Sequence, residues 1–171
     1  LASAIKNKQP FIFRTTNELY IDRSNNISKE FDLNLWIKGN GYEYRRINEM
    51  PGSFIIVPVN FPGKPEVADP FNALQYSLEQ LKHWDMAPDN ASKLAEAGFE
   101  IALTSNGLKS ATDFRKNLSR AIERGLNQSK ALAALTTIPA KKFGQEKRLG
   151  QIESGFIANL VVVNGNYFEL F

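Results

Sequence analysis

Few residues in this sequence could do chemistry, and their spacing limits what they can do. There is one histidine, His83, in LKHWDMAPDN, and no cysteine. A disulfide framework and a thiolate metal site are therefore excluded. His83 lies one helical turn after Glu79 and just before Trp84 and Asp85, an arrangement that could ligate a metal or shuttle a proton. A histidine at a helix C-terminus also gains from the helix dipole with no further role, and that structural role is the expected one. One other position stands where an apolar stretch runs out into a turn: Asn106 in ALTSNG. Asparagine in Ser-Asn-Gly tolerates left-handed backbone and caps a following helix, so turn chemistry alone accounts for Asn106. Ser105 and Thr104 have no base near them in sequence, which a serine nucleophile would need.

The elements that must position these residues alternate between strand-like and helix-like, the pattern of βα units on a parallel sheet. Strands are expected at 10–15, 33–39, 53–61 and 99–105. The third, SFIIVPVNF, is almost wholly apolar, as a strand covered on both faces should be. A helix with a polar start at Thr16-Asn17 carries Leu19, Ile27 and Phe31, and a short one is expected around YEYRRINEM. The segment PGKPEVADP (62–70) has three prolines and reads as a lid or binding loop. Leu74, Leu78 and Leu81 then form one apolar stripe, and ASKLAEAG closes on Gly98 as a C-cap. Further on, SATD (110–113) is a capping start for a helix bearing Phe114, Leu118, Ala121 and Ile122. A helix over 128–137 is expected to stop at Pro139, and IANLVVVNGNYF to end the chain as a strand with an Asn-Gly turn.

Composition narrows the classes. At 171 residues, 43% hydrophobic and 23% charged, the chain has the balance of one globular domain. No apolar run reaches the length of a spanning helix, so a soluble protein is expected, with the cytosol and the periplasm both open. The net charge of +3 is spread along the chain and interleaved with acids; neither nucleic acid nor a membrane is an expected partner. Four Asn-x-Ser sequons, at 26, 90, 117 and 127, are read as fortuitous because Asn117 falls within an expected helix. The opening LASAIKNKQP reads as the tail of a helix, as if the chain began inside a longer protein. Four βα units can form only an open sheet or half of an eight-stranded barrel. Half a barrel exposes two strand edges and an apolar concave face, so a cover is expected: a missing N-terminal half or a second copy in a homodimer.

The segment SKALAALTTIPAKKFGQEKRLGQIESGFIANLVVVNG (129–165) resembles the C-terminal signature of the amidohydrolase superfamily, in particular its imidazolonepropionase-like or Xaa-Pro dipeptidase-like branch. The matching positions are Ala131, Leu132, Thr136, Pro139, Ala140, Gly144, Leu149, Gly150, Ile152, Gly155, Ala158, Asn159 and Leu160. Upstream, APDNASKLAEAGFEIALTSNGL is similar to the approach to that family's eighth barrel strand. The resemblance implies an α/β fold: a partial TIM-type (β/α) barrel over 1–145, its four parallel strands matching strands five to eight. Residues 146–171 would then return as a strand of a small β-sandwich. The residues of the signature are helix ends, turns and a buried strand, and do no chemistry themselves.

In the resembling enzymes a metal such as zinc is held by a His-x-His pair, a carbamylated lysine or acid, histidines on strands five and six, and an aspartate at strand eight. The corresponding positions here are Arg14, Lys38 (or Asn40) and Asn106. Two are cationic and one is an amide, so none supplies the expected ligand. The resemblance thus implies a fragment of an amidohydrolase acting on C–N bonds in cyclic amides or on dipeptides. With its ligand positions replaced, this chain is expected to be inactive, with no cofactor of its own; zinc belongs to the intact active members. The alternative is a non-catalytic module holding an anionic small molecule or a protein partner at the barrel mouth. Pairing of Arg14 and Lys38 with Glu18 and Glu43, or exposure to solvent, is the plain structural alternative.

Overall fold

The structure, a computed structural model, describes residues 2–50 and 54–169. In chain order its elements are α1 (Ala2–Lys6), β1 (Phe11–Arg14), α2 (Leu19–Phe31), β2 (Leu35–Lys38), 3-10 turns at Glu43–Arg45 and Ile47–Glu49, and β3 (Ile55–Pro58). Next come α3 (Pro70–Ala73), α4 (Leu78–Met86), a 3-10 turn at Ala87–Asp89, α5 (Asn90–Glu96), β4 (Ile101–Thr104), α6 (Ala111–Glu123), α7 (Gln128–Leu135) and α8 (Thr137–Lys142). The strands form one sheet in the order β1-β2-β3-β4, every neighbour parallel. Sequential parallel strands joined by helical crossovers are the half-barrel pattern the sequence predicts. All four expected strands form, each within its predicted bounds; Ser53, at the start of the third, lies outside the described residues.

Side chains alternate across the sheet, and the two faces differ. Ile37, Ile55, Val57 and Ile101 point to the helices and pack with Ile21 of α2, Leu94 of α5, Leu118 and Ala121 of α6, and Ala131 and Ala134 of α7. This is the main core. Trp36, Phe54, Ile56 and Ala102 share the other, concave face, where Ile138 of α8 packs against them. Phe143 meets the Trp36 ring edge-on at 5.4 Å, as does Phe54 at 5.2 Å, so α8 and its C-terminal end close the floor of that face. Glu100, at the entry to β4, is paired with Lys141 and Lys142 and anchors α8 there.

Several helices differ from expectation for identifiable reasons. Leu74, Leu78 and Leu81 do not form one stripe. Leu74 lies past the short α3, and Ser77 starts a new helix with a reciprocal capping box to Gln80; Leu74 and Leu78 are left 84% and 82% exposed. Pro139 does not stop a helix but sits in the first turn of α8. Having no N–H to give Leu135, it leaves α7 to end there, and Thr136, three residues before the proline, adopts φ −128° and ψ −80°. The segment around YEYRRINEM is two 3-10 turns rather than one helix. Ser110 caps α6 by accepting from the Asp113 N–H, as the sequence predicts, and the chain leaves α5 through Gly98 at φ +87°.

The apolar run Leu160–Val163 pairs with no strand among the described residues, and Val162 is 92% exposed. A strand needs a neighbour for its backbone groups, and none of the described residues supplies one. The tail is held instead at Tyr167 and Glu169, whose carbonyls accept from the Arg115 guanidinium at 2.9 and 2.8 Å. Between the tail and α7–α8 runs an apolar cavity of about 1100 Å³, lined by Leu132, Phe143, Leu149, Ile157 and Leu160 among others. Among the described residues no helix is long and apolar enough to cross a membrane.

Candidate functional site at the C-terminal ends of the strands

The register decides which side chains share a layer. Arg14 pairs with Lys38, Lys38 with Ile56, and Ile56 with Ala102. In-register residues of a parallel sheet face the same side, so these four form one row on the concave face. The next row toward the C-terminal ends includes Pro58 and Thr104, and Asn60 and Asn106 stand two residues further on. The row below is Ile12, Trp36 and Phe54. Two cations on adjacent edge-side strands therefore occupy a layer otherwise made of Ile56 and Ala102.

Neither cation is neutralised among the described residues. Glu18 pairs with Arg45 at 3.0 Å. Glu43 is fully buried and accepts from the Asn40 N–H at 2.6 Å and the Asn90 side-chain amide at 2.6 Å. The expected alternative in which these two acids pair with Arg14 and Lys38 is corrected: both acids have other partners. Lys38 is half-buried and Arg14 exposed, while the Lys38 carbonyl accepts from the N–H and hydroxyl of buried Thr15 at 3.0 and 3.1 Å. The backbone under the cations is thus fixed.

Asn106 is exposed, and its N–H donates to the Thr104 hydroxyl at 3.2 Å, a local turn bond. Gly107 after it has φ +88°, and a Cβ there would meet the Asn60 amide nitrogen at 2.5 Å. The Ser-Asn-Gly turn therefore needs its glycine both for backbone sign and for the approach of β3's end. Asn106 lies at the same end of the sheet as Arg14 and Lys38, though on the far strand.

His83 does not join them. It lies in the last turn of α4, its ring stacked on Tyr42 at 3.6 Å and its Nδ1 3.3 Å from the Tyr44 hydroxyl. Burial, with Arg45 nearby, pushes its pKa below the ordinary value. Arg45 lies over Tyr42 at 4.7 Å and bridges Glu18, after β1, to Glu79 of α4 at 2.9 Å. Burial disfavours the Arg45 charge, but hydrogen bonds to Tyr44, Glu79 and Glu18 outweigh it and hold the pKa above the usual range. This clamp ties the loops following β1 and β2 to α4, and sequence reasoning missed it. The signal was there in Tyr42-Glu43-Tyr44-Arg45, an aromatic and charged run directly after Gly-Asn-Gly.

Chemically, the arrangement can attract and hold an anion. It does not fit a zinc ion. Among the described residues no group of three His, Cys, Asp or Glu is placed to hold a metal, and Arg14 and Lys38 would repel one.

Comparison with known proteins supports the fold. Residues 88–170 match the sequence model of the Amidohydrolase family. The structure is similar to an amidohydrolase from Thermotoga maritima MSB8, with 25% identity and a TM-score of 0.69, over 98% of this chain and 41% of that one. A second amidohydrolase crystal structure is similar at 14% identity and TM-score 0.61, again over 98% and 41%. An uncharacterized protein is similar at 18% identity and TM-score 0.58, over 92% and 39%. No curated protein matches the chain. The chain is similar along nearly its whole length to these structures while spanning about two fifths of theirs, and residues 88–170 carry the match to the Amidohydrolase family.

Proposed function

We propose that this chain is the C-terminal half of an amidohydrolase-type barrel of the imidazolonepropionase-like kind whose metal site has been replaced by an anion-holding one. It is inactive as a C–N hydrolase in its own right. The observation that carries this reading is the row Arg14–Lys38: register partners on the concave face, without an acidic partner among the described residues. Barrel sites lie at the C-terminal ends of the strands, and a bound cation is what those positions serve in a hydrolase of this kind. Two fixed positive charges take over the neutralising part of that role without supplying activated water. Asn106 adds a neutral amide in the turn after the last strand. The barrel is completed by a body covering the β1 and β4 edges, either the N-terminal half of a longer chain or a second copy.

The test is a set of three measurements on the native polypeptide. Metal content and hydrolysis of a dipeptide and a lactam are expected to be nil, while calorimetry is expected to detect a small carboxylate or phosphate. Arg14→Ala combined with Lys38→Ala should abolish that binding. Stoichiometric zinc with turnover, or anion binding unchanged in the double variant, would overturn the reading.

A further inference from the structure

We infer that α4 is held against the loop after β2 by a pH-sensitive latch at His83, and that protonating this histidine releases the helix. Every contact of the latch is made inside this chain. α4 has no buried residue of its own, and the segment from Val59 to Ser77 that leads to it contains only the short α3. Its C-terminal end is fixed: Ala87 and Pro88 after it are buried, Asp85 pairs with Arg124 at 3.3 Å, and Arg120 lies over the Trp84 ring. Nearer its N-terminal end the contacts are polar, and they come from Glu79 and His83, one turn apart on one face. Glu79 accepts from Arg45 at 2.9 Å. The His83 ring lies flat on Tyr42 with its Nδ1 3.3 Å from the Tyr44 hydroxyl, and a Cβ at Gly41 would meet that ring at 4.0 Å. A helix packed at one end and tied by polar contacts at the other opens first at the polar end.

Protonation acts on both ties. Neutral His83 with its Nδ1 unprotonated accepts the Tyr44 hydroxyl; the imidazolium has no lone pair left to do so. Its charge would stand half-buried in the stack, with the Arg45 guanidinium over the same Tyr42 ring at 4.7 Å. Burial and Arg45 already hold the His83 pKa below its ordinary value. The nearby acids are committed. Glu79 and Glu18 both pair with Arg45, Glu43 accepts from Asn40, Gly41 and Asn90, and Asp85 pairs with Arg124. Lys93 of α5 lies over Tyr44 and adds positive charge, as does Lys82 next to His83 in sequence. Glu79 can serve the imidazolium four residues on only by leaving Arg45, which undoes the second tie. In the released helix the ring is solvated and takes its proton at the ordinary value, so acid shifts the population toward release.

The experiment is hydrogen–deuterium exchange of the native polypeptide at about pH 5.5 and about pH 7.5, corrected for the intrinsic pH dependence of exchange. The amides of α4 are expected to lose protection several-fold at the lower pH, while β3, β4 and α6 keep theirs. His83→Gln, which preserves helix propensity, should give α4 the same protection at both pH values. Tyr42→Ser removes the ring on which His83 is stacked, and the His83 pKa, read from its ring-proton NMR shifts, should move up toward the ordinary value. Equal α4 protection at the two pH values, a pH response retained in His83→Gln, an equal loss in β3 and α6, or a His83 pKa unchanged in Tyr42→Ser would each overturn the latch.

Discussion

The outer face of the sheet meets α2, α5, α6 and α7 and is closed, with Ile37, Ile55, Leu94 and Leu118 all fully buried. The concave face is closed only at its floor, by Trp36, Phe54 and α8, and above that it mixes Ile12 and Ile56 with Arg14 and Lys38. The same four strands supply both, one residue apart. Stability of this unit therefore resides on the helix side, and the inner side is left free to carry charge. A strand face that must be dry cannot also hold two unneutralised cations.

Substitutions on the two faces should separate clearly in size. Leu94→Ala on the outer face should lose about 2–5 kcal/mol in urea denaturation, because the packed helices cannot collapse into the cavity. Ile12→Ala on the inner face should lose less than about 1 kcal/mol, since Ile12 is already mostly in water. Similar losses at the two positions would dissolve the distinction. Glu43→Ala comes next, at about 2–3 kcal/mol by the same measurement, since it strands the Asn40 N–H and the Asn90 amide in a buried site.

Gly107→Ala should lose about 1–2 kcal/mol, its φ of +88° and the nearby Asn60 amide both opposing a Cβ. Asn60→Ala should recover part of that loss if the close approach contributes, and none if only the backbone sign matters. The smallest effect belongs to His83. Its native pKa lies below the ordinary 6.5 because of burial and Arg45, so the unfolded chain binds the proton more readily. Its stabilising contribution is fully present above pH 6.5 and is lost as pH falls through the depressed native value. Thermal unfolding measured from about pH 5 to 8 should show stability rising with pH, and His83→Gln should flatten that rise. An unchanged slope would mean that the Tyr42–His83 stack does not disfavour protonation.

Much of the fold is legible in the chain itself. Short apolar runs between turn residues mark all four strands, and the third, SFIIVPVNF, is nearly all apolar as a parallel strand covered on both faces should be. Ser110 and Gly98 read correctly because capping depends on one side chain or one backbone angle. The Leu74 stripe and the Pro139 stop read wrongly for a related reason. Periodicity does not register where Ser77 restarts a helix, and the effect of a proline falls upstream of it, at Thr136. The C-terminal run Leu160–Val163 has the composition of a strand, but pairing is a property of a neighbour and not of the run.

For the site, the chain itself shows which residues stand at the three strand ends that the resemblance singles out: the cations Arg14 and Lys38 and the amide Asn106. Folding adds that Arg14 and Lys38 share a row, that Glu18 and Glu43 are committed elsewhere, and that His83 belongs to a loop clamp. Residue types fix which interactions are possible and travel with the chain. Which of them occur depends on strand register and on competition for partners, and both are settled only when segments distant in sequence pack together.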